Sequence, residues 1–166
     1  EYDPATNTWT QKVSPGGSKR SAAAVFVVNA KAYIVSGTNN GSYLNDLWEY
    51  DPALDKWTEK RKISDVSDET YDDDYAITRS NAVAFGIGTK GYLCTGAVGG
   101  LSSTCWEYDP TTDLWTNKTA FEGAAREGAV GFSVNNRGFV ATGRSSGLRL
   151  DDMREFLPLI EYDEND

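Results

Sequence analysis

Histidine is absent from the 166 residues. Its absence removes the commonest general acid–base and the commonest ligand for zinc or copper. Only two cysteines occur, Cys94 and Cys105, too few for a disulfide framework or a four-cysteine metal site. No apolar run approaches the roughly 20 residues of a membrane-spanning helix. Positive charge is scarce as well: 16 Lys and Arg stand against 25 Asp and Glu, a formal net charge of −9. That balance disfavours nucleic-acid backbones and anionic membrane surfaces as partners. There is no signal peptide, and the first residue is Glu1 rather than Met, so the chain is expected to be a processed product or a piece of something longer. No nucleophile with an adjacent base, no phosphate loop and no metal motif can be found, and no cofactor is expected.

What is plentiful is glycine (16), tyrosine (nine) and tryptophan (five), a composition that suits a turn-rich β protein. One decapeptide occurs three times, as EYDPATNTWT at 1–10, EYDPALDKWT at 49–58 and EYDPTTDLWT at 107–116. Tyr2, Tyr50 and Tyr108 are each followed seven residues later by Trp9, Trp57 and Trp115. An altered copy, LDDMREFLP at 150–158, matches LNDLWEYDP at 44–52 and puts Phe156 in the tyrosine place. The four aromatic anchors at 2, 50, 108 and 156 are thus spaced close to a period of roughly 50 residues.

Between the anchors lie two further matched segments. The first reads RSAAAVFVV (20–28), RSNAVAFGI (79–87) and REGAVGFSV (126–134), small-residue runs without polar alternation that suit strands covered on both faces. The second reads AYIVSG (32–37), GYLCTG (91–96) and GFVATG (138–143), aromatic-led strands that end in glycine. The decapeptide supplies a third strand, an Asp-Pro turn and a fourth strand. Four short antiparallel strands recurring in this way predict the blades of an all-β propeller, with the small-residue strand innermost. Packing between blades is the reading favoured for the repeated Tyr, Trp and Phe.

The Tyr-x6-Trp pairs, the Gly-ended second strand and the period resemble kelch repeats, and the wording YDPxTxxWT resembles the kelch proteins of bacterial cell envelopes. The resemblance covers essentially the whole chain. It departs in one place: the usual Gly-Gly doublet is Ser36-Gly37, Thr95-Gly96 and Thr142-Gly143, a replacement expected where the first position does not need positive φ. The strand count predicts a propeller segment over 1–158: a partial blade at 1–13, blades at 20–61 and 79–118, a three-stranded last blade at 126–157, and an acidic tail at 159–166. About three four-stranded blades cannot close a ring of roughly 4–8. The chain therefore reads as part of a six- or seven-bladed ring, completed by the remainder of a parent propeller or by a second copy as a dimer. A compact soluble monomer would contradict both.

The loops before each inner strand and those joining second to third strands open on one face. Arg20, Arg79 and Arg126 start the inner strands there. Kelch resemblance implies an arginine ring at a ligand-binding mouth, since guanidiniums fork onto carboxylates; bonding to carbonyls or acidic residues of a neighbouring blade explains the same residues structurally. Asn39, Asn40, Arg144 and Arg149, in Gly-rich second-to-third-strand loops, are candidates for sugar hydroxyls or carboxylates, beside a plain reading as turn chemistry. An insertion of about ten residues at 58–78 carries six carboxylates within 65–74. Asp72, Asp73 and Asp74 are weak calcium candidates without EF-hand spacing. A solvated acidic loop, or one that folds back to neutralise the arginines, are the other readings, with Tyr71 and Tyr75 anchoring the loop or meeting a ligand. Cys94 and Cys105 occupy places held by aliphatics in the other repeats. Buried thiols are the default, and a cross-strand disulfide, implying an oxidising compartment, is the alternative.

The kelch resemblance brings two enzyme families to weigh. Copper radical oxidases need histidine ligands, which these blades lack. Sialic-acid mutarotases use Arg and Glu at the channel mouth, and Glu122 and Glu127 lie in that region. The function expected is a non-catalytic kelch binding module that presents its loop face to a protein or glycan ligand, with a sugar-modifying enzyme as the alternative. By resemblance the location is extracytoplasmic, in the periplasm or at the cell surface.

Overall fold

The Asp-Pro turns organise each repeat locally. Asp51 accepts hydrogen bonds from the amides of Ala53 and Leu54, and the Tyr50 hydroxyl donates to Asp55 at 2.8 Å. Asp55 itself takes a left-handed φ of 46°, which an aspartate tolerates better than most residues. The turn sets the register of Leu47–Asp51 against Lys56–Glu59 so that Tyr50 lies directly opposite Trp57, with ring centroids 4.9 Å apart. The same pairing brings Tyr108 within 5.0 Å of Trp115 and Tyr2 within 5.1 Å of Trp9. The Tyr-x6-Trp spacing is therefore a cross-strand aromatic pair.

The computed structural model describes residues 1–158, and the acidic stretch 159–166 expected as a tail lies outside them. None of the described residues forms a helix long and apolar enough to cross a membrane. The chain is all-β. Strands Ala24–Val28, Lys31–Val35, Leu47–Asp51 and Lys56–Glu59 form the first blade, antiparallel and in chain order. Val83–Ile87, Lys90–Cys94, Cys105–Asp109 and Leu114–Lys118 form the second. Val130–Val134, Arg137–Ala141 and Met153–Phe156 form a last blade with three strands among the described residues. Tyr2–Asp3 pairs with Thr8–Trp9 in a lone hairpin before the first blade.

Blades stack by fitting a phenylalanine of one into a glycine recess of the next. Phe26 lies over Gly91, where a Cβ would sit 2.2 Å from the ring, and Phe85 lies over Gly138, where it would sit 2.4 Å away. Tyr33 and Tyr108, 5.5 Å apart, extend the first junction, and Tyr92 and Phe156, 5.6 Å apart, extend the second. Among the described residues only the middle blade has a blade on both sides; the other face of the first blade is touched by residues 13–17, where Gly16 abuts Trp48 and the Trp57 indole donates to Val13. The inner strand of the first blade accordingly alternates, burying Phe26 and exposing Val25 and Val27, while Val130, Phe132 and Val134 of the last blade are exposed. Coverage on both faces, as the sequence led one to expect, holds for the middle inner strand alone.

Two further expectations resolve here. The first residue of the Gly-Gly position does need positive φ: Ser36, Thr95 and Thr142 have φ of 54°, 61° and 61°. Ser36 offsets this because its hydroxyl donates to the carbonyls of Leu44 and Arg79 and accepts from the Arg79 amide. Thr95 has no such relief, since its buried hydroxyl has no partner. Left-handed φ at a β-branched residue costs on the order of 1–3 kcal/mol. Thr95→Gly is therefore expected to raise stability by about 1 kcal/mol, visible as a later urea midpoint. An earlier midpoint would show that the lost methyl packing matters more than the strain. Of the two readings of the cysteines, the disulfide is the one formed: Cys94 and Cys105 pair directly across adjacent strands and are bonded, fully buried, on the side facing the last blade.

Candidate functional site

Arg20, Arg79 and Arg126 stand four residues before the inner strands Ala24–Val28, Val83–Ile87 and Val130–Val134 rather than starting them, and each folds its guanidinium back into its own blade. Their Nη1 atoms donate to the carbonyls of Ser36, Thr95 and Thr142, each at 3.0 Å, just before the repeated glycine. Arg20 then forks onto Asp46 with both bonds at 2.7 Å, and Arg126 onto Asp152 at 2.6 and 2.8 Å. Arg79 and Arg126 are buried, at 2% and 0% exposure. The partners lie inside each blade rather than in its neighbour.

Blade two departs from this scheme. The position of Asp46 and Asp152 is there Thr104. Arg79 finds only neutral acceptors: the carbonyls of Ala76, Ile77, Thr95 and Thr104, the Thr104 hydroxyl at 2.9 Å and, at 3.5 Å, the Ser102 hydroxyl. Burial alone, without a counter-charge, lowers its pKa to about 10. A second group is stranded by the same change. Trp48 Nε1 donates to Asp46 at 2.8 Å, whereas the equivalent Trp106 Nε1 is buried and unpartnered. The triplets NDL, STC and DDM at 45–47, 103–105 and 151–153 carry this signal in the sequence once the repeats are aligned.

Bonds from Arg126 hold the Asp152 carboxyl down at about 2. At Asp46, burial pushes the pKa up, and the bonds from Arg20 and Trp48 outweigh it. A carboxylate held below its unfolded value of about 3.9 stabilises the fold above that pH, and the contribution is lost as pH falls through the folded value. Stability should therefore drop between about pH 4 and 2, and Asp152→Asn should flatten that slope in urea titrations at stepped pH.

The second-to-third-strand loops are small hairpins, Thr38–Asn39 with Ser42–Tyr43 and Arg144–Ser145 with Leu148–Arg149. Asn39 is half-buried in its strand and Asn40 is exposed at the turn with φ 49°. Arg144 is exposed and pairs with Glu127 at 2.9 Å, and the other Glu127 oxygen accepts from Asn81 at 3.1 Å. Glu122 is exposed. Asn81, Glu127 and Arg144 line a cleft of about 660 Å³ that also takes in Thr142, Arg149 and Leu150; Asn39, Asn40 and Glu122 are not part of it.

The acidic insertion does not neutralise the arginines with its carboxylates, and it reaches Arg79 only through the carbonyls of Ala76 and Ile77. Its tyrosines anchor it. The Tyr75 hydroxyl accepts from the Trp115 amide at 2.7 Å and its ring meets Trp106, while Tyr71 lies under the Arg61 guanidinium. Asp72 is buried and accepts three bonds from Val66 and Ser67, which ties the loop to itself. Asp65 and Asp73 share its cluster within 4.8 Å, and Asp74 is not part of it.

Residues 19–62, spanning the first blade, match the family model of the kelch motif. The chain carries a kelch motif. Over 58 residues it is 33% identical to Kelch-like protein 23 of Homo sapiens, a stretch covering 34% of this chain and 10% of that protein. Over 63 residues it is 36% identical to Kelch-like protein 4 of Homo sapiens, covering 38% and 9% respectively. The chain thus spans about a tenth of the length of the curated relatives it matches. The solved structure of YjhT superposes on 92% of this chain and 47% of its own, with a TM-score of 0.73 at 16% identity. That likeness is one of fold. The blades described above are those of a β-propeller.

Proposed function

We propose that this kelch segment is a non-catalytic binding module whose loop face takes a protein or glycan ligand through a carboxylate. The observation that carries the reading is the missing acid of the middle blade. Thr104 leaves a buried guanidinium without counter-charge and a buried indole N–H without acceptor, and a buried cation is costly until an anion reaches it. A ligand carboxylate at Thr104 would take the role that Asp46 and Asp152 play in the other blades, displacing the Thr104 hydroxyl from Arg79. Arg144 and Arg149, on the same end of the blades, would hold the remainder of the ligand over the cleft. The three inner-strand arginines then work as a ring with two places filled from within and one left for the ligand. The disulfide supports an oxidising, extracytoplasmic setting.

Thr104→Asp is expected to abolish binding on a glycan array and in pull-downs with acidic peptides, because an internal carboxylate fills the place. Arg149→Ala should weaken it by about tenfold, as loss of a charge-assisted contact does. Binding that persists unchanged in Thr104→Asp would refute the site. Turnover of an acidic sugar that disappears in Glu127→Gln or Glu122→Gln would instead favour a sugar-modifying enzyme.

A further inference from the structure

The corner of the middle blade that lacks its acid differs from the other two in more than Thr104. Thr104 lies nine residues after Thr95, whereas Asp46 lies ten after Ser36 and Asp152 ten after Thr142. The amide that bonds back to the repeated glycine belongs to Leu44 in the first blade, to Leu150 in the last and to Ser102 in the middle one. A half-buried leucine is thus replaced by a hydroxyl, which accepts from the Thr104 amide at 3.1 Å and lies 2.9 Å from the Thr104 hydroxyl. Where the first blade pairs Val35 with Leu47 and the last pairs Ala141 with Met153, the middle blade pairs Cys94 with Cys105.

What the middle blade loses and what it gains act between the same two strands. In the first and last blades the guanidinium joins the carbonyl just past the second strand to the carboxylate just before the third. In the middle blade Arg79 Nη1 spans the carbonyls of Thr95 and Thr104, at 3.0 and 3.1 Å, and neither carries a charge. Thr95 directly follows Cys94 and Thr104 directly precedes Cys105, so the disulfide joins the two strands one residue from both ends of that span. The backbone bond from the Thr95 amide to the Thr104 carbonyl is 3.3 Å, against 3.1 Å from Ser36 to Asp46 and 2.9 Å from Thr142 to Asp152. Two blades hold these strands together with an internal ion pair. The third leaves its cation unmatched and holds them with a covalent bond.

We infer that Cys94 and Cys105 are positioning residues for the middle-blade site. Their disulfide replaces the tie that the Arg–Asp forks supply in the other blades, and it holds the carbonyls of Thr95 and Thr104 at the spacing that keeps Arg79 placed for an incoming carboxylate. The ligand half of this inference rests on the carboxylate reading given above, whereas the tie itself is testable without any ligand. Both cysteines are fully buried, so they act through the neighbouring Thr95 and Thr104 rather than by contact. Donors held in place beforehand bind more tightly, because less freedom is lost when the ligand arrives.

Four chains test it: the parent, Thr104→Asp, Cys94→Val/Cys105→Leu (the pair found in the first blade), and all three substitutions together. The drop in urea midpoint on losing the cysteines should be at least about twofold smaller in the Thr104→Asp background, because two groups that share one tie are not additive. Equal drops in both backgrounds, the result for a disulfide that merely restrains the unfolded chain, overturn the inference. Should circular dichroism show the cysteine variant unfolded, adding Thr104→Asp is expected to restore the fold, and failure to do so overturns the inference too. Binding is read with acetate as the probe, through the Trp106 indole N–H resonance at constant ionic strength. The dissociation constant should rise at least about tenfold in Cys94→Val/Cys105→Leu. An unchanged constant overturns the inference and leaves the binding site standing. No acetate response in any chain refutes the carboxylate reading instead, and the midpoints then judge the disulfide by themselves.

Discussion

Arg79→Met is expected to lower the free energy of unfolding by about 3–5 kcal/mol, read from urea denaturation followed by tryptophan fluorescence. The methionine fills the apolar part of the site but leaves the buried carbonyls of Ile77 and Thr95 without the Arg79 donor; the Thr104 carbonyl keeps the Thr95 amide, and Ala76 is exposed to water. Each stranded buried acceptor costs on the order of 1–3 kcal/mol, and a domain of this size has only about 5–15 kcal/mol in total. Thr104→Asp acts in the opposite direction. It gives Arg79 the fork that Arg20 and Arg126 already have and offers Trp106 Nε1 the acceptor that Trp48 has, so the midpoint should rise. Stability would then increase in the same variant that is expected to lose ligand. A loss below about 1 kcal/mol in Arg79→Met would mean that water replaces the guanidinium, and the blade-two site would have to be reconsidered.

Phe85→Ala and Phe132→Ala remove the same side chain from the same place in two repeats, and their costs should differ several-fold. Phe85 is 3% exposed between the middle and last blades, over Gly138 and against Phe156 at 6.0 Å. Its loss leaves a cavity lined by rigid glycine backbone that cannot collapse, for a cost of about 3–5 kcal/mol. Phe132 is 37% exposed on the open face, and its truncation should cost about 1 kcal/mol or less. Equal costs in equilibrium unfolding would show that the open face of the last blade is covered in solution.

Much of the fold could be read from the residues because its determinants are local and repeated. Tyr50 and Trp57 meet across a hairpin whose Asp-Pro turn fixes the register, so a spacing along the chain translates directly into a contact. Gly91 and Gly138 mark the recesses because no other residue leaves room for a ring at that distance. The site was less legible. Arg20, Arg79 and Arg126 look identical in the alignment, but whether each meets a carboxylate depends on a residue 25 or 26 positions away, just before another strand. The Gly-Gly position departs from the sequence expectation for a related reason. Serine and threonine read as ordinary β residues, and only the backbone shows that Ser36, Thr95 and Thr142 are left-handed.

The sequence by itself determined the blade as a unit, the order of its strands, the end on which the arginines lie and the place of the insertion, because period-two strands and turn residues act over a few positions. Which arginine lacks a counter-ion, that the two cysteines are bonded, and which faces of the repeat are buried were decided only by tertiary structure. Those properties depend on how close groups from different strands and blades approach, and on whether a neighbour is there. The same phenylalanine is core at position 85 and surface at position 132, with nothing in the adjoining residues to tell them apart.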